Sequence, residues 1–313
     1  MNKFNTAILF IVFNRPELAK QTFEKIRQVK PSKLYVACDG PRQGNENEKE
    51  SVAKVKEILK MVDWPCEVKT LFQEKNLGCK KGCITAIDWF FENEEKGIIL
   101  EDDCLPHLDF FNFCESLLDR YNDDDRVSFI SGDNFQNGNL RGDASYYFSK
   151  YICLWGWASW RRSWEKYDVG NMKFWPEWKN SKDFSDKIPD KVEQKYWKNI
   201  FNLMYLEKID TWDYPLSASV WYNGGLTATP NVNLVSNIGF GIEATHTKSE
   251  DNENSKLPVR SIGILKHPTE IKRDIEADNW TFNNHYGGKN LRFPTNIFFH
   301  FRRVMNYFFK KQK

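Results

Sequence analysis

The sequence predicts an α/β fold: a doubly wound, mostly parallel sheet followed by a less regular second half. Two observations and one rule of sheet architecture predict it. Apolar runs of strand length alternate with helix-period segments through the first 135 residues. Each of the first four runs stops in a polar or turn-prone segment. Strict rotation of strand and helix is the pattern of parallel sheets with helices on both faces.

The elements follow in order. Residues 7–13 form an apolar run, ended by Asn14, Arg15 and Pro16. Pro16 suits a first helical turn, where its missing N–H costs nothing. The spacing predicts a helix over 16–29, with Leu18, Phe23 and Ile26 on one face. A second strand falls at 34–38. A charged helix spans 46–62, with Val52, Val55, Ile58 and Leu59 on one side. A third strand at 68–72, a helix at 82–91, a fourth strand at 97–100, a helix at 110–121 and a fifth strand at 127–131 complete the rotation.

Beyond residue 135 the character changes. Nine of the 12 Trp lie between 155 and 221. Helical patterns at 158–167 and 192–206 mix with strand-like runs at 218–221 and 232–235. The expected organisation is 1–135 as one half of a domain, 136–285 as its second half, joined without a linker, and 286–313 as a basic amphipathic tail.

Composition excludes several classes. The chain has 313 residues, with 45 Lys plus Arg against 43 Asp plus Glu, a net charge of +2. That balance argues against a nucleic-acid binder of the polycationic kind. Aromatic residues are 15% of the chain, far from a disordered composition. No run approaches a membrane span, and the first apolar run reads as a buried strand rather than a secretion signal. The seven Cys read as reduced thiols, which points to the cytoplasm. Cys79 and Cys83 stand four apart without a second pair, so they carry no zinc signature.

Chemistry concentrates where strands end, because ligands of such sheets bind beyond the carboxyl ends of the strands. The strand ends carry Asn14 and Arg15, then Asp39 to Arg42, then Asn76 to Gly78, then Glu101, Asp102 and Asp103. An acidic triplet is commonly solvated surface. Here an apolar strand precedes it and apolar residues resume at Cys104. Hard oxygen ligands in that position suit Mn²⁺ or Mg²⁺ bridging phosphate oxygens. Asp213 lies between Trp212 and Tyr214, where it reads either as a turn or capping residue before Pro215 or as a base of reduced hydration. His107, His267, His285 and His300 show no partner pattern and read as structural.

These residues also carry a family resemblance. FNRP at 13–16, DG at 39–40, NLG at 76–78, EDD after an apolar strand, WGW at 155–157, TWD at 211–213 and GGLTATPNVNLVSNIGFG at 224–241 occur in an order that resembles a GT-A glycosyltransferase. The nearest subgroup is the one typified by N-acetylglucosaminyltransferase I. The resemblance covers roughly residues 4–250 and implies the GT-A, nucleotide-diphospho-sugar transferase fold with an appended acceptor-side region. It places Asn14 and Arg15 where the first strand meets the nucleotide, and Asp39 at the uracil ring. By the same resemblance Asn76, Gly78 and Lys80 fall in the loop that runs past the nucleotide and phosphates. Glu101 and Asp102 match positions that touch the ribose or donor sugar, Asp103 matches the carboxylate that binds the divalent metal, and His246 matches a further metal ligand of some members. Trp155 and Gly156 fall where the family closes over donor and acceptor. Asp213 falls where inverting members place their catalytic base.

The implied partners are a nucleotide-sugar donor, with UDP favoured, and a glycan or lipid-linked saccharide acceptor. A sugar-1-phosphate nucleotidylyltransferase shares the sheet type, but its chemistry wants a glycine-rich loop after the first strand, and residues 14–17 hold no glycine. A non-catalytic carbohydrate-binding or membrane-adaptor protein would need only the aromatics and the tail. Residues 301–313 carry five basic residues and no acid, with Phe301, Val304, Met305 and Phe308 at helical spacing. Such a helix either lies on the inner face of an anionic membrane, at about 1 kcal/mol per cation, or packs its Phe face on the domain.

Overall fold

The structure, a computed structural model, describes residues 4–168, 171–240 and 257–295. Among these, β1 (Ile8–Val12), β2 (Lys33–Cys38), β3 (Glu67–Phe72) and β4 (Lys96–Glu101) are parallel neighbours in the order β3-β2-β1-β4. Ile8 of β1 faces Leu34 on one side and Ile98 on the other. Strands flanked by helices on both faces read as continuous apolar runs, and β1 does. Its alternate side chains feed separate layers: Ile8, Phe10 and Val12 pack with Phe23, Phe110 and Leu117, while Leu9 packs with Tyr35, Phe90 and Ile99.

Four helices fill the first half. Helix α1 (Pro16–Val29) has its proline at the start and buries Ala19, Phe23 and Ile26. Helix α2 (Glu46–Lys56) tightens into a 3₁₀ turn over Glu57–Met61, so the helix expected over 46–62 is two pieces. Helix α3 (Cys79–Asn93) starts three residues before the expected position, and α4 (Leu108–Arg120) follows a short strand β5 (Cys104–Pro106).

The second half extends the same sheet. Strands β6 (Val127–Ser131), β7 (Tyr146–Ser149), β8 (Trp157–Trp160) and β9 (Leu226–Pro230) complete eight strands in the order β3-β2-β1-β4-β8-β6-β9-β7. Strand β8 runs antiparallel to β4 and β6, and β7 antiparallel to β9, so the sheet is mixed but mostly parallel. Strands on both sides of residue 135 share it.

Three expected elements differ. Residues 158–167 are not one helix but β8 followed by the short α5 (Arg161–Trp164). Trp157 packs on Phe129 in one layer, whereas Trp160 faces the other and donates its indole N–H to the Leu118 carbonyl at 3.1 Å. That alternation belongs to a strand. After α6 (Trp175–Trp178), α7 (Lys182–Lys187) and α8 (Lys191–Tyr205), the strand expected at 218–221 is part of helix α9 (Asp213–Asn223), which buries six residues from Pro215 to Trp221. A helix buried nearly all round shows no stripe. Finally, the strand expected at 232–235 is displaced to β10 (Val235–Asn237), which pairs antiparallel with β5. Helix α10 (Ile275–Trp280) is fastened by Asp278, which accepts from Ser149 Oγ and Arg273 Nε at 2.5 Å each.

No helix among the described residues is long and apolar enough to cross a membrane. The tail at 297–313 lies outside the described residues.

Candidate functional site

The carboxyl ends of β1, β2 and β4 and the first turns of α3 enclose a cleft of about 640 Å³, within the ordinary range for small-ligand sites. Asn14, Arg15, Asp39, Asn76, Gly78, Glu101 and Asp102 all line it. The strand-end reading therefore gathers these residues in one place.

The turn between β1 and α1 aims Arg15 at the acidic triplet. Its Nε and Nη2 donate to Asp102, and its Nη1 donates to Asp103 Oδ2 at 3.0 Å. Thr22 of α1 donates its hydroxyl to the Asp102 carbonyl at 3.0 Å, which ties the helix to the triplet. The Asp102 side chain is 3% exposed. Burial pushes its carboxyl up to about 6, although the Arg15 charge pulls it down. Burial, and then the charge of Asp103, hold Glu101 well above the usual carboxylate range. Burial alone would lower Arg15, but Asp102 and Asp103 raise it further than burial lowers it. One guanidinium thus faces three carboxyl groups.

The opposite wall is organised by two other carboxylates. Asp39 Oδ1 accepts from the N–H of Gly40 at 2.8 Å and of Leu77 at 2.9 Å. Its Oδ2 accepts from Asn76 Nδ2 at 3.1 Å and the Gly78 N–H at 3.2 Å. Asp39 therefore clamps the loop at 76–78 that leads into α3. The loop passes so close that a Cβ on Gly40 would sit 2.6 Å from the Lys75 backbone. Glu48, 5% exposed, accepts from Asn14 Nδ2 at 3.0 Å, the Arg42 N–H at 2.6 Å and Arg42 Nη1 at 2.9 Å. It fixes both Asn14 and Arg42, and Arg42 also lines the cleft.

The remaining candidates sit around this centre. Lys80 is in the first turn of α3, beside cleft-lining Cys79. Asp103 stands beside the cleft, under Gly239, where a Cβ would come 2.2 Å from Asp103 Oδ2 and 2.8 Å from Arg15 Nη1. The pairing of β5 with β10 creates this approach, and the Ile238 N–H donates to the Asp103 carbonyl at 2.8 Å. Phe240 then meets Trp155 edge to face at 5.7 Å. Gly156, at φ 69°, packs under Leu100 and Val235. Asp213 opens α9, where its carboxylate accepts from the Thr211 hydroxyl and, at 2.9 Å, from the Tyr214 N–H. The cleft wall contains Asp210 rather than Asp213. His246 lies outside the described residues.

Sequence reading named Arg42 only as part of a strand-end segment, and it missed Glu48 and Asp210. Asn45 and Glu48 do have the spacing of a helix start, and the Glu48 N–H donates to Asn45 Oδ1 at 3.1 Å. That signal marks a cap, not a buried anchor for the loop after β1. Of the histidines, His107 accepts from the Asp109 N–H at 3.1 Å as a cap of α4, and His267 shares a 3.0 Å hydrogen bond with Tyr146.

No protein-family model matches the chain, and no curated protein matches it in sequence. Solved structures match distantly. HddC from Yersinia pseudotuberculosis aligns at 10% identity with a TM-score of 0.32, over 52% of this chain and 80% of that one. A 4-diphosphocytidyl-2C-methyl-D-erythritol synthase from Anaerococcus prevotii aligns at 7% identity and a TM-score of 0.36, over 72% and 88%. A UDP-glucose pyrophosphorylase complexed with UDP-glucose aligns at 12% identity and a TM-score of 0.27, over 46% and 62%. Scores this low assign no activity.

The chemistry of the cleft is two-sided. Arg15, Arg42 and the amino end of α3 favour anions. The surplus carboxylate at Glu101, Asp102 and Asp103 favours a cation. Among the described residues no three side chains converge as a ready-made metal cage.

Proposed function

We propose that the protein is a metal-dependent, inverting glycosyltransferase that moves a sugar from a nucleotide diphosphate donor, with UDP favoured, to a hydroxyl of a glycan or lipid-linked glycan. One observation carries the reading: Arg15, Asp102 and Asp103 converge at the ends of β1 and β4, beside a cleft of nucleotide size. A hard divalent ion fits this donor set, because Mg²⁺ and its like take one or two carboxylates and complete their shell with substrate phosphates and water. Asp103 would hold it, with Glu101 nearby. Bound there, Mn²⁺ or Mg²⁺ would supply charge neutralisation for the departing diphosphate.

The chain's own residues do the rest. Arg15 holds Asp102 and Asp103 in register. Asp39 keeps the 76–78 loop, and with it Asn76 and Gly78, against the nucleotide edge. Trp155, which meets Phe240 edge to face, closes over the sugar, and Gly156, buried under Leu100 and Val235, sets the turn that carries it. Asp213 takes the acceptor proton, a role worth about 10²–10⁴-fold for a placed carboxylate. Asp210, in the cleft wall, is the rival base, and replacing each by Asn in turn separates them.

The deciding experiment measures nucleotide release from a panel of UDP- and GDP-sugars with Mn²⁺. Asp103→Ala should lose most of the turnover while still melting cooperatively. Turnover equal to the parent's would overturn the reading. A second reading, a sugar-1-phosphate nucleotidylyltransferase, draws support from Arg15 and Arg42, two cations facing one cleft. Pyrophosphate released from a nucleoside triphosphate and a sugar 1-phosphate would decide for it.

A further inference from the structure

A second cavity, of about 390 Å³, lies between the loop after β6, the turn after β9, the segment from Leu257 and the end of α10. Asparagines build its frame. Asn233 Oδ1 accepts from the Asn134 N–H at 3.1 Å, and its amide donates to the Leu257 carbonyl at 3.3 Å. Asn231 accepts from the Arg141 N–H at 2.8 Å and donates to the Arg141 and Ala144 carbonyls at 2.9 Å. These amides are committed to holding the loops and do not serve a ligand.

What remains for a ligand is one-sided. No Asp or Glu lines the cavity among the described residues. The Arg260 N–H donates to the Asn233 carbonyl at 2.9 Å, and its side chain makes no ion pair among the described residues. Among the described residues Lys289 Nζ reaches Asn284 Oδ1 alone, at 3.4 Å. Trp280 Nε1 is buried with no acceptor among the described residues. All three groups donate, and two carry positive charge. Phe135 and His285 stack at 3.9 Å beside them, and aromatic faces suit the C–H faces of a sugar ring. Sites for neutral sugars need acceptors for the hydroxyls; this cavity offers an excess of charged donors, which a carboxylate or phosphate answers.

We propose that this cavity binds an anionic saccharide, one whose ring carries a carboxylate or a phosphate. Its position gives the site a role. Phe135 meets Trp155 edge to face at 5.1 Å, and Trp155 meets Phe240, the residue after Gly239 over Asp103. A saccharide held against Phe135 lies across this aromatic wall from the acidic triplet, where an acceptor would approach. The acceptor role rests on the transferase reading; the charge preference does not.

The test is titration calorimetry on the full chain with three probes: a glucuronate-containing tetrasaccharide, glucose 6-phosphate and neutral chitotetraose. At least one charged probe should bind about tenfold more tightly than the neutral one, with the preference shrinking at high salt. Arg260→Ala with Lys289→Ala should abolish the preference, and Trp280→Phe should weaken the charged probe while the melting temperature holds. Equal affinity for charged and neutral probes, no binding by either charged probe, or parental binding in the double variant would overturn the inference. Nucleotide-sugar binding is measured on the same sample. If it is absent while the charged saccharide binds, the transferase reading fails and this one stands; the reverse pattern sinks this one alone.

Discussion

Replacing Arg15 by Ala removes the cation that, among the described residues, is hydrogen-bonded to Asp102, a carboxylate that is 3% exposed. Breaking a buried pair from one side costs about 3–5 kcal/mol, because the remaining charge is left uncompensated. The cost must depend on pH. Asp102 in the native protein is raised to about 6 from an ordinary 3.8, with burial the largest cause. The folded chain therefore keeps a proton that the unfolded chain has already released. An acid raised in this way contributes stability at low pH that is lost as pH rises from about 4 to about 6, roughly 3 kcal/mol at 1.36 kcal/mol per pKa unit. Without Arg15 the carboxyl moves higher still, so at pH 5 it is neutral. There the variant loses only hydrogen bonds, about 1 kcal/mol. Urea unfolding at pH 5 and pH 8 should show a penalty that grows from about 1 to about 3–5 kcal/mol. Adding Asp102→Asn should recover most of the loss at pH 8. A penalty equal at both pH values, or no recovery with Asn, would refute the charge argument.

Asp133, 1% exposed, accepts from Ser131 Oγ at 2.6 Å through Oδ1, and burial pushes it up to about 7. Parental stability should therefore fall by roughly 4 kcal/mol as pH rises from about 4 to about 7, and Asp133→Asn should flatten that dependence; parallel melting curves for the two proteins would count against it. Gly239→Ala places a methyl 2.2 Å from Asp103 Oδ2, so the segment must shift, at about 1–3 kcal/mol, and nucleotide release should drop with it. Parental melting and turnover in that variant would show that the segment does not press on Asp103.

The first half of the fold was legible because β1, β2 and β4 are buried nearly throughout and the turns after them are polar. Ile8 to Val12 can hardly be anything else, and the polar residues after it mark the strand end that bears on the cleft. The second half hid its elements for the opposite reason. Trp157 to Trp160 is buried at every position, so period two and period 3.6 look alike there. Strand β9 is Leu-Thr-Ala-Thr-Pro, and Thr227 and Thr229 are buried only because β6 and β7 flank them. The site shows the same division. Strand-end position sufficed to find Arg15 and Glu101. Glu48 acts on Asn14 from 34 residues away, and no local pattern reports such a contact.

The acidic triplet also shows why strand-end position mattered more than residue type. Asp123, Asp124 and Asp125 form an equally dense run, yet Asp124 pairs with its loop neighbour Arg126, and Asp125 with Arg162 and Lys166 at the surface. Those carboxylates are solvent-exposed or half-exposed, and ion pairs in such places contribute little. Asp102 is held by an arginine 87 residues away, on a different strand end, in a place that burial makes costly for charge. A chain without use for charge there would place apolar residues of similar volume in both positions and gain stability. Keeping the cluster at the edge of a cleft is thus a stability cost, and it makes physical sense where a bound cation and its anionic partner offset it.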